Sequence, residues 1–330
     1  MSGAATRLIA GVDLGGTKIS ACIATPEGVI ARHRQAVPLD GEPGAIAARM
    51  RTLLERCCAD AQREWSEIEA VGISACGPFG RDGEGRLTLR APNLCGGLSG
   101  SGSVPNIWQA VALEADCEAW QRPVKIVNDA AAALMAEHRF GRLVGHRDAA
   151  YLTWSTGIGF GLMSDGRLLL GKRGNAGHAG HAVPARVESI VARCGCGNVN
   201  DVEALAGGAA LERVWGNSAA SLFAAAREGD ERARALVELA MDAVSAALYN
   251  LTVTLDLERI VIGGSLFFAQ RDLLLPGLRD RVYGHPARGG LSVMFEGVEI
   301  ESVDDPARTA DLGALCIVMP PEWSGERFRD

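Results

Sequence analysis

The chain has no excess of basic residues. Its formal charge is -7, so it carries no overall electrostatic footprint for holding a polyanion such as nucleic acid. It also lacks a disulfide framework. Nine cysteines, an odd number at irregular spacing, fit reduced thiols, and the opening MSGAATRLIAGVDLGG is too polar and too broken by glycine for a secretory leader. No uncharged apolar run reaches the ~18 residues of a convincing membrane span, because the longest apolar helical stretches carry Asp, Glu or Asn. The expectation is a reduced, cytoplasmic protein without a nucleic-acid or membrane partner. A P-loop of the G-x₄-G-K-[ST] form is absent too, so any phosphate chemistry has to come from other glycine turns.

What the chain does have is size and apolar content. With 330 residues, 48% of them hydrophobic, it can bury a substantial core divided between two lobes. Residues 8–12 form a short apolar run ending in DLGGTK at 13–18, with a second run at 19–24, the pattern of a hairpin. Gly15 and Gly16 let backbone N–H groups converge on a phosphate, while Thr17 and Lys18 add a hydroxyl and a positive charge. Asp13, at the strand end, is a candidate for holding Mg²⁺ through water. The plain alternative is a glycine turn with a solvated Lys18. A second strand, 149–154, breaks at STGIGFG, where Thr156, Gly157 and Gly159 form another backbone cradle. The alternative there is a glycine-bearing strand pair passing close to a neighbour. A third strand, 259–262, ends in Gly263 and Gly264, positioned to pass the adenine or ribose of a nucleotide. Cradles far apart in sequence suggest two lobes closing on one nucleotide.

Between these turns lies a strand at 124–127 followed by Asn128, Asp129 and an alanine-rich helix at 130–137. A carboxylate at the carboxyl end of a strand is well placed for chemistry in an open α/β sheet, and equally well placed to cap the helix. Asn93, after Pro92, is either a donor to a substrate oxygen or a turn residue. The periodicity further predicts helices at 44–61, 104–120, 218–228, 231–251 and 310–319, and strands at 69–74 and 292–298.

Residues 175–203, NAGHAGHAVPARVESIVARCGCGNVNDVE, hold His181, Cys194, Cys196 and Asp201. These are four ligands of types zinc accepts. The alternative is a tight glycine turn whose cysteines are small hydrophobes.

Taken in order, DLGGTK at 13–18, APNL at 91–94, VNDAAAALMAE at 127–137, STGIGFG at 155–161, GNAGHAGH at 174–181, CGCG at 194–197 with Glu203 downstream, and IVIGGS at 260–265 resemble the ROK family. That family comprises sugar kinases and related repressors of the actin-like ATPase (ribonuclease H-like) fold, two α/β lobes around a central cleft. The resemblance runs over nearly the whole chain. It implies an N-terminal lobe at 1–127, completed by the C-terminal helix 309–330, and a larger lobe at 128–308. It implies ATP-dependent phosphorylation of a hexose hydroxyl with Asp129 as general base, alignment and electrostatics carrying the phosphoryl transfer. Asn93, Asn128, Asp129, His181 and Glu203 would contact the sugar, the 13–18 and 155–161 loops would clamp the phosphates with Mg²⁺, and the protein would be a homodimer.

Two positions depart from the family pattern. The family's Glu-x-Gly-His is here His178-Ala-Gly-His181, which replaces an anionic acceptor by an imidazole and points to an aminohexose, another altered hexose or a cyclitol in place of glucose, the alternative being that His178 keeps a hydrogen bond to the same hexose. The family's C-x-C-G-x₂-G-C-x-E zinc loop here has Asp201 for its third cysteine and Asn200 for the glycine before it, so the expectation is a His-Cys-Cys-Asp zinc, the alternative being an empty loop held by packing and hydrogen bonds. A non-catalytic sugar sensor is the competing function. A repressor would carry a DNA-binding segment ahead of DLGGTK, where only twelve residues precede Asp13, and is not expected.

Overall fold

Two five-stranded sheets share one topology. The computed structural model describes residues 7–38, 44–95, 110–184, 191–284, 286–323 and 328. The first sheet opens with β1 (Leu8–Leu14), β2 (Lys18–Thr25) and β3 (Gly28–Ala36), an antiparallel meander. Helix α1 (Ala45–Asp60) packs on it and leads to β4 (Ile68–Ala75), which lies parallel to β1. A small hairpin, β5 (Phe79–Arg81) and β6 (Leu87–Leu89), then α2 (Pro92–Cys95) and α3 (Leu113–Glu118), precede β7 (Val124–Asn128) at the sheet's other edge. Helix α4 (Asp129–Phe140) passes to the second sheet.

That sheet repeats the plan with an antiparallel meander of β8 (Ala149–Trp154), β9 (Ile158–Ser164) and β10 (Arg167–Leu168). Helices α5 (Val202–Ala206), α6 (Gly208–Trp215), α7 (Ala219–Glu228) and α8 (Glu231–Leu255) follow, and β11 (Arg259–Gly263) joins parallel to β8. Then come α9 (Ser265–Ala269), α10 (Arg271–Tyr283) and β12 (Glu299–Ser302), parallel to β11, before α11 (Pro306–Cys316) returns to the first sheet. The orders are β3-β2-β1-β4-β7 and β10-β9-β8-β11-β12.

Two helices join the halves, and small residues let them do so. A Cβ on Gly72 of β4 would sit 2.0 Å from the Ala314 carbonyl oxygen of α11, so only glycine admits that helix onto the sheet. On the second sheet, a Cβ on Gly161 of β9 would sit 2.3 Å from the Ala130 carbonyl oxygen of α4. The run of alanines at 130–133 serves this close approach on a helix buried between sheet and α11. By length and composition α8 passes for a membrane span, but 56% of that stretch is buried within the fold, where Val237, Met241, Val244 and Leu248 join the core.

Two expected elements differ. In the helix expected at 104–120, residues 104–109 lie outside the described residues, and Val111 exchanges two backbone hydrogen bonds with Leu89, which delays α3 to Leu113. The strand expected at 292–298 is instead part of a 3₁₀ run, Pro286–Phe295, and the chain turns at Gly297 (φ 78°) before β12 begins. A short apolar alternation did not distinguish the two.

Candidate active site

The carboxyl ends of the parallel strands from both sheets open on one cleft of about 540 Å³. Asp13 is the penultimate residue of β1, and Gly15, Gly16, Thr17 and Lys18 lead through the hairpin into β2; all five line the cleft. Thr156, Gly157 and Gly159, at the β8–β9 connection, line it from the second sheet. Gly264 lines it too. Gly263 does not belong to the lining: a Cβ there would sit 2.2 Å from the Tyr151 hydroxyl, so this glycine makes room for a buried tyrosine. Asn93 is in α2, and its side chain lies outside the described residues, as do 96–109.

Asn128 and Asp129 divide the two roles the sequence leaves open. Oδ1 of Asn128 accepts from the backbone N–H groups of Ala130 and Ala131, capping α4, and this leaves its Nδ2 for other partners. Asp129 accepts from the Ala130 N–H at 2.9 Å and faces the cleft. Burial raises its pKa to about 6, the nearby Glu203 adding to the shift. Burial, then the charge of Asp129, raises Asp13 to about 7, against a hydrogen bond from Ser74 Oγ. Two carboxylates that disfavour each other's charge are a fit for a divalent cation.

The third wall is the 3₁₀ turn His178–His181. Three residues make one 3₁₀ turn, so side chains at positions three apart eclipse. The two imidazoles therefore stack, with centroids 6.0 Å apart. The glycine faces of the same turn press against β9. A Cβ on Gly177 (φ 90°) would lie 2.0 Å from the Phe160 carbonyl oxygen, and one on Gly180 2.1 Å from that of Ile158. Nδ1 of His178 donates to the Asn175 carbonyl at 3.0 Å, as only a protonated nitrogen pairs with a carbonyl. Nε2 is left against Gly77, within reach of the space beside Asn128 Nδ2. Burial, and then His181, holds the His178 pKa below its ordinary value.

Behind His181 the four proposed zinc ligands converge within 4.8 Å of one another. His181 Nδ1 lies 3.2 Å from Asp201 Oδ2, 3.6 Å from Cys194 Sγ and 3.5 Å from Cys196 Sγ, and Cys196 Sγ is 3.6 Å from Asp201 Oδ2. A tetrahedron with bonds of about 2.3 Å to sulfur and about 2.05 Å to nitrogen or oxygen has edges of roughly 3.3 Å and 3.6 Å, which these separations match. Asp201 is fully buried and uses its other oxygen, Oδ1, to cap α5 by accepting from Ala204 N–H at 2.7 Å. That cap sets Glu203 in the first turn of α5. There Oε2 accepts from Ile158 N–H at 2.9 Å, and Cys194 Sγ lies 3.3 Å from Oε1.

Several lining residues escaped the sequence reading: Ser20 and Arg34 on β2 and β3, Cys76, Arg193, Arg213, Ser265, and Pro306, Ala310 and Asp311 on α11. A buried acid such as Asp311 in the midst of the apolar half of α11 is the one local signal among them.

Paired meander sheets joined by parallel strands, with a glycine hairpin from each facing a shared cleft, define an actin-like ATPase fold. The ROK family model matches residues 9–289, and the chain belongs to that family. The N-acetylmannosamine kinase of Salmonella arizonae is 34% identical over 266 residues, 78% of this chain and 83% of that protein. The ROK hexokinase from Thermus thermophilus superposes with a TM-score of 0.70 at 29% identity, covering 94% of this chain and 97% of its own. A ROK family glucokinase from Streptomyces griseus, solved in complex with glucose and AMPPNP, gives a TM-score of 0.68 at 25% identity and covers 93% and 97%.

Proposed function

We propose that the protein transfers the terminal phosphoryl group of ATP to a hydroxyl of an N-acetylated aminohexose, N-acetylmannosamine foremost. The observation that carries the proposal is the position of Asp129. It faces one cleft bounded by both glycine hairpins and by the His178, His181 and Glu203 wall. In this reading the 13–18 and 155–159 turns, with Gly264, hold the nucleotide, and Asn128, His178, His181 and Glu203 hold the sugar, with Asn93 assigned from the family pattern. Asp129, ionised at neutral pH yet more basic than an ordinary carboxylate, takes the proton of the attacking hydroxyl.

The choice of an N-acetylated sugar rests on His178 and on the Salmonella relative. A neutral imidazole with Nδ1 already donating offers Nε2 as a single acceptor, suited to one N–H or O–H, where a carboxylate would take two hydroxyls. Mg²⁺ would be held at Asp13 and would neutralise charge on the donor phosphates. Zinc would be held by His181, Cys194, Cys196 and Asp201, fixing the imidazole ring and the start of α5 as a structural site does. The lobes proposed are 1–127 with the C-terminal helix, and 128–308; the packing of α11 on β1 and β4 supports that division. A homodimer belongs to the same proposal. The test is sugar-dependent formation of ADP by the purified protein and by its Asp129→Asn variant.

A further inference from the structure

Ser74, Asp13, Ser20 and Arg34 stand in one cross-strand row of the first sheet. Asp13 pairs with Ser74 on β4 and with Ser20 on β2, and Ser20 pairs with Arg34 on β3. Directly opposed residues project from the same face with Cβ atoms about 4.5–5.5 Å apart. The row thus carries polar groups from the proposed Mg²⁺ carboxylate out to the sheet's edge. Asp311 of α11 is set onto it from above, its side chain only 1% exposed.

Three donors converge on that carboxylate. Ser20 Oγ donates to Oδ1 at 2.7 Å, Arg32 Nε to Oδ2 at 2.6 Å, and Arg34 NH2 to Oδ2 at 3.3 Å. A buried carboxylate needs such partners, but Ser20 and Arg32 already supply close ones, and the Arg34 contact is the longest. Arg34 also donates from Nε to Ser20 Oγ at 3.2 Å. Its Nε–NH2 edge is therefore held, while NH1 takes no partner among the described residues. Asp311 is buried and both of its oxygens are already held at shorter range by Ser20 and Arg32, so satisfying this carboxylate does not by itself call for a second arginine whose own side chain is 46% exposed. The two arginines differ in what they face: Arg34 lines the cleft together with Lys18, Asp13 and the first turns of α11, and Arg32 does not.

We infer that Arg34 is a donor-binding residue, its guanidinium held by Ser20 and Asp311 so that the free edge meets the β- and γ-phosphates of the nucleotide. Arginine suits this place because a planar fork can be fixed along one edge and still present donors along another. The inference rests on the kinase reading, but nucleotide affinity reads it without turnover.

The experiment is calorimetric titration of the full chain with Mg-ATP and with AMP, for wild type, Arg34→Gln and Arg32→Gln. Loss of one charge-assisted contact weakens binding by about tenfold or more. Arg34→Gln is expected to weaken ATP by that factor and AMP by less than about twofold, because AMP lacks the phosphates concerned, and Arg32→Gln is expected to change neither beyond about twofold. Equal losses for ATP and AMP, no loss in Arg34→Gln, or the same loss in Arg32→Gln would overturn the assignment. If Arg34→Gln does not fold, Arg34→Lys carries the test: selective weakening of ATP supports the assignment, and unchanged or equal affinities overturn it. Wild-type protein that binds ATP but phosphorylates no sugar would sink the kinase reading and leave Arg34 standing; protein that binds no ATP would sink both.

Discussion

Oε2 of Glu203 accepts the backbone N–H of Ile158 at 2.9 Å. The first turn of α5, beside the proposed zinc, is thereby tied to the loop proposed to face the donor phosphates. Gly157 is the residue that permits the contact, since a Cβ there would lie 2.4 Å from the same oxygen. Gly157→Ala should therefore displace the Glu203 carboxylate, a flexible end that can swing away. The expected outcome is a stability change of about 1 kcal/mol or less with a sugar KM raised by about tenfold. Unchanged KM in a folded variant would remove Glu203 from the sugar site.

The pH dependence follows from two raised carboxylates. As the proposed base Asp129 would act when ionised, and its pKa in the fold is about 6, so kcat/KM should climb with pH to about 6 and level off above it. Asp13, raised to about 7, is brought down by a bound cation; below pH 7 the reaction should need progressively more Mg²⁺. The linkage has a definite sign. Groups whose folded pKa is raised bind more protons in the fold than in the unfolded chain, so between about pH 4 and 7 they lower the stability of the metal-free protein as pH rises. Rate profiles at low and saturating Mg²⁺ check the first two outcomes, and melting curves in chelator check the third.

Asp201 has two separable tasks, capping α5 through Oδ1 and facing the other three proposed zinc ligands through Oδ2. Asparagine caps a helix as well as aspartate does but is a much poorer ligand for zinc. Purified wild type should hold about one zinc per chain, and Asp201→Asn should lose it with α5 still capped, while Asp201→Cys should retain it. Elemental analysis reads this directly. A zinc-free wild type whose activity ignores chelator and added zinc would contradict the assignment.

His178 is the residue on which acceptor choice should turn. His178→Glu restores a carboxylate that can take two hydroxyls, and the ratio of kcat/KM for N-acetylmannosamine over glucose should fall by about tenfold or more. An unchanged ratio would show that selection lies elsewhere on the wall.

What was legible in the sequence was local. The hairpin turns at 13–18 and 155–159, the Asn128–Asp129 junction and the spacing of His178 and His181 each follow from a few neighbouring residues whose backbone preferences agree. The cross-strand row was not legible, because Ser20 and Arg34 meet an aspartate 291 and 277 residues away, and β3, alternating half-buried and exposed positions after Gly28, reads as an ordinary edge strand. Gly263 carries a further constraint that the sequence hides: two glycines at a strand end suggest nucleotide contact, and the first also admits the Tyr151 ring.

The most direct test of the account is ADP formation with N-acetylmannosamine and with glucose, for wild type and Asp129→Asn at pH 7.5 and saturating Mg²⁺. Wild type is expected to show sugar-dependent turnover, with kcat/KM for N-acetylmannosamine at least about tenfold above glucose. In Asp129→Asn, kcat should fall by about a hundredfold or more, while the variant still binds sugar and nucleotide. Sugar-independent ADP release by wild type, or near-normal turnover by Asp129→Asn, would contradict it.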